Sequence, residues 1–232
     1  MSKNYINELK KVVNEIEVFI PSSQKNIKIK PLTLKQQKDI LDNLSVSATA
    51  LITFFNKVSD VIENSYSGYK DLLVVDRPNI LISLRNNIDN MYNDIDLNQV
   101  LEKNKNIKAI EDKKTFKTDS FKFEIKIPSI SRDRQTNDFL IKNTPQKDNA
   151  IIGKLYVNEV VKFIEKITII ESETEIDFNE LPIKEAFEIV QNIESSNFKE
   201  IYKYIGEVRD FEKLFVTLED KTVDVGPELF VL

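Results

Sequence analysis

The sequence predicts an α+β fold: amphipathic helices, short antiparallel β-hairpins toward both ends of the chain, and one further strand in the middle. Three observations carry this. Period-two alternation of apolar and charged residues recurs in short runs closed by proline, at 15–20 before Pro21 and at 121–127 before Pro128. Longer runs place apolar residues at three- and four-residue steps, the spacing of a helix face. With 41% hydrophobic residues in 232, the chain has enough apolar material for a packed core.

In chain order, Ile16, Val18 and Ile20 fall on one side of a strand and Glu15, Glu17 and Phe19 on the other, and Pro21 ends it. Ile27 and Ile29 then alternate with Lys28 and Lys30 before Pro31, so the two segments form a hairpin with the six-residue loop 21–26. Thr33 and Gln36 make a capping box, in which the hydroxyl accepts an N3 amide and the glutamine reaches back; a helix starts at Leu34 and runs to about Asn43. Between Ser47 and Asn64, residues such as Leu51, Phe54, Phe55, Val58 and Ile62 give a second helix a broad apolar face, ended by a loop around Gly68. Asp76 as N-cap and Pro78 in the first turn open a third amphipathic helix carrying Ile80, Leu81, Leu84, Ile88 and Met91.

The middle differs. Residues 102–120 and 131–149 are polar and rich in lysine, asparagine and aspartate, and flank one short segment of clear pattern. Between them Phe121, Phe123, Ile125 and Ile127 alternate with Lys122, Glu124 and Lys126 as a half-buried strand. From Lys154 to Ile170 the apolar residues fit a helix about as well as a strand; we take a helix to about Glu165, then a small hairpin of 167–171 and 175–178. Pro182 opens a helix carrying Ile183, Ala186, Phe187, Val190 and Ile193. Asn197 with Glu200 caps the last helix, whose face includes Phe198, Ile201, Ile205, Val208, Phe211 and Phe215. A hairpin of 214–218 and 222–225 and the apolar end Phe230-Val231-Leu232 close the chain. This organisation has an N-terminal hairpin and helical layer at 1–94, a polar insertion at 95–150, and a C-terminal α+β part at 151–232 packed with the first as one unit.

Composition excludes most chemistry. The chain has no cysteine, which removes disulfides, thiolate nucleophiles and sulfur-ligated metal sites, and fits a reducing compartment. It has no histidine, which removes triads and the commonest metal-binding imidazole. Four glycines, at 68, 153, 206 and 226, make no glycine-rich phosphate loop. A net charge of −5 with mixed signs makes no field that gathers nucleic acid or an anionic membrane. The polar start Met1 to Lys11, and the lack of any apolar run of about 20 residues, predict a soluble intracellular protein. No cofactor, metal site or catalytic residue is expected.

Three features invite a functional reading. Glu124 and Lys126, two apart on one strand face, have the spacing that metal-dependent nucleases use to hold magnesium and orient water; the bland reading is a solvated strand face. The lysines at 103, 105, 108, 113, 114 and 117 are diluted by Glu102, Glu111, Asp112 and Asp119, and read as a linker rather than a phosphate-binding stretch. The strand bearing Phe121, Phe123, Ile125 and Ile127 either pairs within its own domain or adds to a partner's sheet, and Phe230, Val231 and Leu232 dock on their own domain or on a neighbour.

Read together, Phe19-Ile-Pro-Ser-Ser with Ile27-Lys-Ile-Lys-Pro-Leu-Thr-Leu-Lys-Gln-Gln-Lys-Asp-Ile-Leu41, Asp76-Arg-Pro-Asn-Ile-Leu-Ile-Ser-Leu-Arg85, and the helix through Tyr204-Ile-Gly-Glu-Val-Arg209 with its following hairpin and Phe230 resemble the T4-type baseplate hub protein family. The resemblance covers about half the chain, mainly its two ends, and carries over no active-site residue. It implies a structural or assembly component of a contractile phage tail baseplate, assembled in the host cytoplasm into the virion tail. Its partners would be other baseplate and tail proteins in a hetero-oligomeric assembly, with no nucleic acid and no membrane. The alternatives are the nuclease on Glu124 and Lys126, or a scaffold or chaperone of another bacterial assembly.

Overall fold

A computed structural model of the protein describes residues 14–42, 50–144 and 151–231. The polar start, the expected helix boundaries at Asn43 and Ser47, and Leu232 lie outside the described residues. Strands β1 (Ile16–Ile20) and β2 (Lys25–Ile29) pair antiparallel, with Ile20 opposite Lys25. The turn is therefore the four residues from Pro21 to Gln24, not six, because Lys25 and Asn26 join the ladder. Gln24 adopts a φ of 55°, and its side-chain amide donates to the Pro21 carbonyl at 2.7 Å. The capping box forms as expected at the start of α1 (Leu34–Leu41): Gln36 N donates to Thr33 Oγ1 at 3.2 Å, and Thr33 N donates to Gln36 Oε1 at 2.9 Å.

Helix α2 (Ala50–Ser65) buries Phe54, Val58 and Ile62 of the expected apolar face, whereas Leu51 stands exposed. The next helix, α3 (Arg77–Asn86), does not, because every residue from Arg77 to Arg85 is buried and the helix stops before Ile88 and Met91. A helix buried all round needs cover on every side, and α3 packs against β1, α4 (Leu97–Asn104) and the long C-terminal helix α8 (Lys199–Val216). Met91 instead lies exposed on β3 (Met91–Tyr92), which pairs with β4 (Ile95–Asp96) through a turn with positive φ at both Asn93 and Asp94. Asp76 stands at the N-cap of α3 but makes no cap bond to that helix.

The two polar stretches contain further elements. Beyond α4, these are β5 (Lys113–Lys117) and, after β6 (Phe121–Lys126), the helix α5 (Ile130–Lys142), whose N-cap Ser129 accepts from Arg132 N at 3.1 Å. Helix α6 (Ile151–Phe163) ends two residues earlier than expected, and β7 (Ile164–Ile169) follows at once. With β8 (Thr174–Asp177), these strands make one antiparallel sheet in the order β5-β6-β7-β8. After α7 (Ile183–Gln191) a 3-10 turn at Ser195–Phe198 leads into α8. Asn197 does not cap α8, since it lies inside that turn with its amide toward the Glu194 carbonyl at 3.4 Å. Because α8 continues through Val216, the last hairpin is only β9 (Thr217–Leu218) and β10 (Lys221–Thr222).

Two apolar clusters form the core. One packs the inner face of the sheet, with Phe123, Ile125 and Ile167, against α6, α7 and the Ile201, Tyr204 and Val208 face of α8. The other gathers Val18, Ile20 and Ile29 of the first hairpin with α2, α3 and α4, and takes in Ile130, Val216 and Phe230 from later in the chain. The two meet where the backbones of Leu73 and Ser129 form an isolated bridge, with Val74 N donating to the Pro128 carbonyl at 3.0 Å and Ile130 N to the Leu72 carbonyl at 2.8 Å. That bridge sets the first turns of α3 and α5 side by side, which positions the site described next.

Candidate partner-binding site

At the seam between the two clusters a half-open cleft of about 500 Å³ lies among α2, α3, α5, α6 and α8. Its walls are apolar, with Leu51, Ile52, Phe55, Leu81, Leu155 and Val216 among the lining residues, and its floor is ionic. Leu51 is 59% exposed at the mouth, and Ile152 and Tyr156 stand exposed on α6 nearby in sequence to Leu155.

The floor is a chain of alternating charges. Arg77, in the first turn of α3, reaches Asp133 in the first turn of α5 at 2.5 Å. Asp133 also holds Lys162 of α6 at 2.9 Å. Lys162 in turn bonds Glu159 one helical turn back at 2.6 Å, and Arg209 of α8 closes on Glu159 at 3.2 Å. Burial pulls the Asp133 carboxyl up, but Lys162 and Arg77 outweigh it and hold the group well below the ordinary carboxylate range. Burial likewise pulls Lys162 down, and Asp133 and Glu159 override it, so the ammonium is held charged. The Arg77 guanidinium also stacks over the Phe55 ring at 4.8 Å.

Three groups in the cleft are less fully used. Arg77 Nε and Asn158 Oδ1 are buried without a hydrogen-bond partner among the described residues. Glu212 of α8 is half-buried there, and burial pushes its carboxyl up to about 7 against the pull of Arg77 and Lys162. It is thus poised to change charge near neutral pH. An apolar-walled cavity with a few fixed charges and open hydrogen-bonding groups is suited to receiving apolar side chains with a polar or acidic companion.

The sequence-chosen residues lie elsewhere. Phe123, Ile125 and Ile127 are in the core, Phe121 is half-buried, and β6 is flanked by β5 and β7 on its two edges, so this strand pairs within its own domain. Phe230 is fully buried against α1, where its carbonyl accepts from Gln37 Nε2 at 2.8 Å, while Val231 is 53% exposed. Glu124 is bonded by Lys122 at 2.7 Å and faces Thr115 and Lys166 across the two neighbouring strands. A lysine opposite, rather than a second carboxylate, opposes a cation there. Among the described residues no cluster of acidic side chains is arranged to hold a metal ion.

The ionic chain leaves no pattern in the sequence, since its members stand at 77, 133, 159, 162 and 209 with no shared spacing. One local sign exists: Lys162 interrupts the apolar run Val160-Val161 and Phe163-Ile164, where a lysine must be buried with a counter-charge.

The sequence model of the family described as T4 bacteriophage base plate protein matches residues 13–213. No curated protein and no solved structure matches the chain. The match begins before the first hairpin, crosses the whole middle region and reaches into α8, so it includes every residue of the ionic chain. A match of that extent places the protein: the chain belongs to the T4 bacteriophage base plate protein family.

Proposed function

We propose that this phage baseplate structural protein acts in the hub region of a contractile tail, as a built-in or assembly subunit that works through protein–protein contacts. The observation that carries the reading is the apolar cleft over its ionic floor, in a chain of a family defined by the baseplate. The cleft receives apolar side chains of a neighbouring tail protein, and the exposed Leu51 at its mouth forms part of the contact. The ionic chain serves as a brace: it ties α3, α5, α6 and α8 together and keeps the cleft shaped before a partner arrives. The partners are other baseplate proteins, met in the host cytoplasm and carried into the virion, with neither nucleic acid nor membrane involved. No catalysis is assigned.

The test is quantitative recovery of the chain from purified baseplates and from hub intermediates in infected cells. Recovery at fixed stoichiometry with hub proteins is expected. A chain missing from both preparations would refute the reading, and magnesium-dependent DNA cleavage abolished by Glu124→Ala would replace it with the nuclease.

A further inference from the structure

The four-stranded sheet ends at β5, and the way β5 is built points to a specific kind of neighbour. Ile127 N donates to the Asp112 carbonyl and Thr118 N to the Phe121 carbonyl, both at 2.8 Å. In an antiparallel ladder this parity turns the backbone groups of the even-numbered residues of β5 toward β6, and those of Lys113, Thr115 and Lys117 outward. All three residues are exposed, and no strand among the described residues pairs with that edge.

The side chains behind the edge are unusual for a strand pair. Lys113 stands directly opposite Lys126, and Lys117 directly opposite Lys122. Like charges at directly opposed positions repel. Lysines on an edge strand by themselves discourage stray pairing, but Lys122 and Lys126 sit on the inner strand, where they add repulsion and guard nothing. Lys113 is compensated by Glu165 at 3.3 Å and Lys122 by Glu124 at 2.7 Å. Lys117 and Lys126 have no recorded ion pair among the described residues. The result is a two-strand basic strip beside an open edge, in a chain whose net charge is −5.

We propose that this edge takes an extended acidic segment of a neighbouring protein as a fifth strand. The segment carries carboxylates four residues apart, opposite Lys113 and Lys117, and apolar residues at the alternate positions, which face the half-buried Phe116 on the inner side. A second copy of the chain is the competing occupant, because the other end of the sheet, β8, carries Glu175 and Asp177. Those carboxylates stand two residues apart, whereas Lys113 and Lys117 stand four apart. The proposal rests on the reading of the protein as an assembly part and names the chemistry of one partner.

The experiment uses the full chain and a capped peptide, Val-Glu-Val-Thr-Val-Glu-Val, with a control in which lysines replace the glutamates. Titration followed by amide exchange is expected to slow exchange at Lys113, Thr115 and Lys117, with no change at Glu175 or Asp177. In the double variant K113E/K117E, affinity for the acidic peptide falls about tenfold and the lysine control gains by a similar factor. No binding at millimolar peptide, protection at β8 instead of β5, self-association through the two edges, or displacement of the peptide by a single-stranded oligonucleotide would each overturn the proposal. Failure here with the chain still recovered in baseplates would remove this edge contact alone; absence from baseplates would remove the broader reading.

Discussion

Ser22 donates to both carboxylate oxygens of Asp76, from its backbone N to Oδ1 and from Oγ to Oδ2, each at 2.8 Å. Leu73 N adds a third bond to Oδ2 at 2.8 Å. The residue that the sequence suggests as a helix cap therefore fastens the turn of the first hairpin to the entry of α3. Fully buried, Asp76 has its carboxyl raised by burial, with the bonds from Ser22 and Leu73 opposing the rise. Replacing it with alanine leaves two backbone donors unsatisfied, so Asp76→Ala should cost about 3 kcal/mol and Ser22→Ala about 1 kcal/mol. Urea unfolding of both single variants and the double variant checks this, and a double-variant loss equal to the sum of the singles would count against direct coupling.

Asp133 carries the ionic floor. Removing its charge takes from Arg77 its ion-pair partner and leaves Lys162 paired with Glu159 alone, both cations being largely buried. Asp133→Asn should therefore destabilise the fold by about 3–5 kcal/mol. Thermal and chemical unfolding measure this; a loss below about 1 kcal/mol would mean that the chain of charges braces little.

Glu212 predicts a pH dependence of opposite sign to that of Asp133. Its carboxyl is raised in the fold to about 7 from an ordinary 4.5, so its proton favours the folded state. That contribution is complete below pH 4.5 and is lost as pH climbs through about 7. Asp133, held low, contributes stability that is lost as pH falls below its ordinary 3.8. Glu212→Gln should flatten the decline between these two values for Glu212 and leave the acid limb in place. Unfolding free energies of wild type and variant across pH would show parallel curves if Glu212 titrated normally.

The last residues separate docking on the domain from docking on a neighbour. Phe230 is 0% exposed and belongs to the N-terminal apolar cluster, so Phe230→Ala should cost about 3–5 kcal/mol even in the isolated chain. Val231, 53% exposed, should tolerate Val231→Ala within about 0.5 kcal/mol. Melting temperatures of the two variants, compared side by side, check the contrast.

These cases also show which features could be read in advance. The Thr33–Gln36 box and the alternation at 121–127 are decided by neighbours within a few residues, and both are where local pattern puts them. Helix α5 shows no apolar stripe in the sequence because its buried side includes Asp133 and Asn137, polar residues met by Arg77, Lys162 and Asn158 from other helices. Helix α3 departs from a plain amphipathic pattern for the converse reason: its polar Asn79 and Ser83 are buried too, Asn79 Nδ2 donating to the Phe19 carbonyl at 2.7 Å and Ser83 Oγ to the Asn79 carbonyl at 2.7 Å. The strand at 121–127 was legible as a strand, but its central place in the sheet depends on segments up to about 50 residues away, which no local pattern encodes. The cleft is less legible still, because five helices from separate parts of the chain make it.

We propose that a neighbouring baseplate protein occupies this cleft. The most direct measurement is competition during assembly: cells produce wild type and Leu51→Asp together, distinguishably tagged, and the ratio of the two is read in purified baseplates. Leu51 is exposed, so the substitution should leave unfolding within about 0.5 kcal/mol of wild type. The variant is expected to be under-represented by about tenfold, as for an apolar anchor turned into a charge. Equal incorporation of the two chains would contradict it.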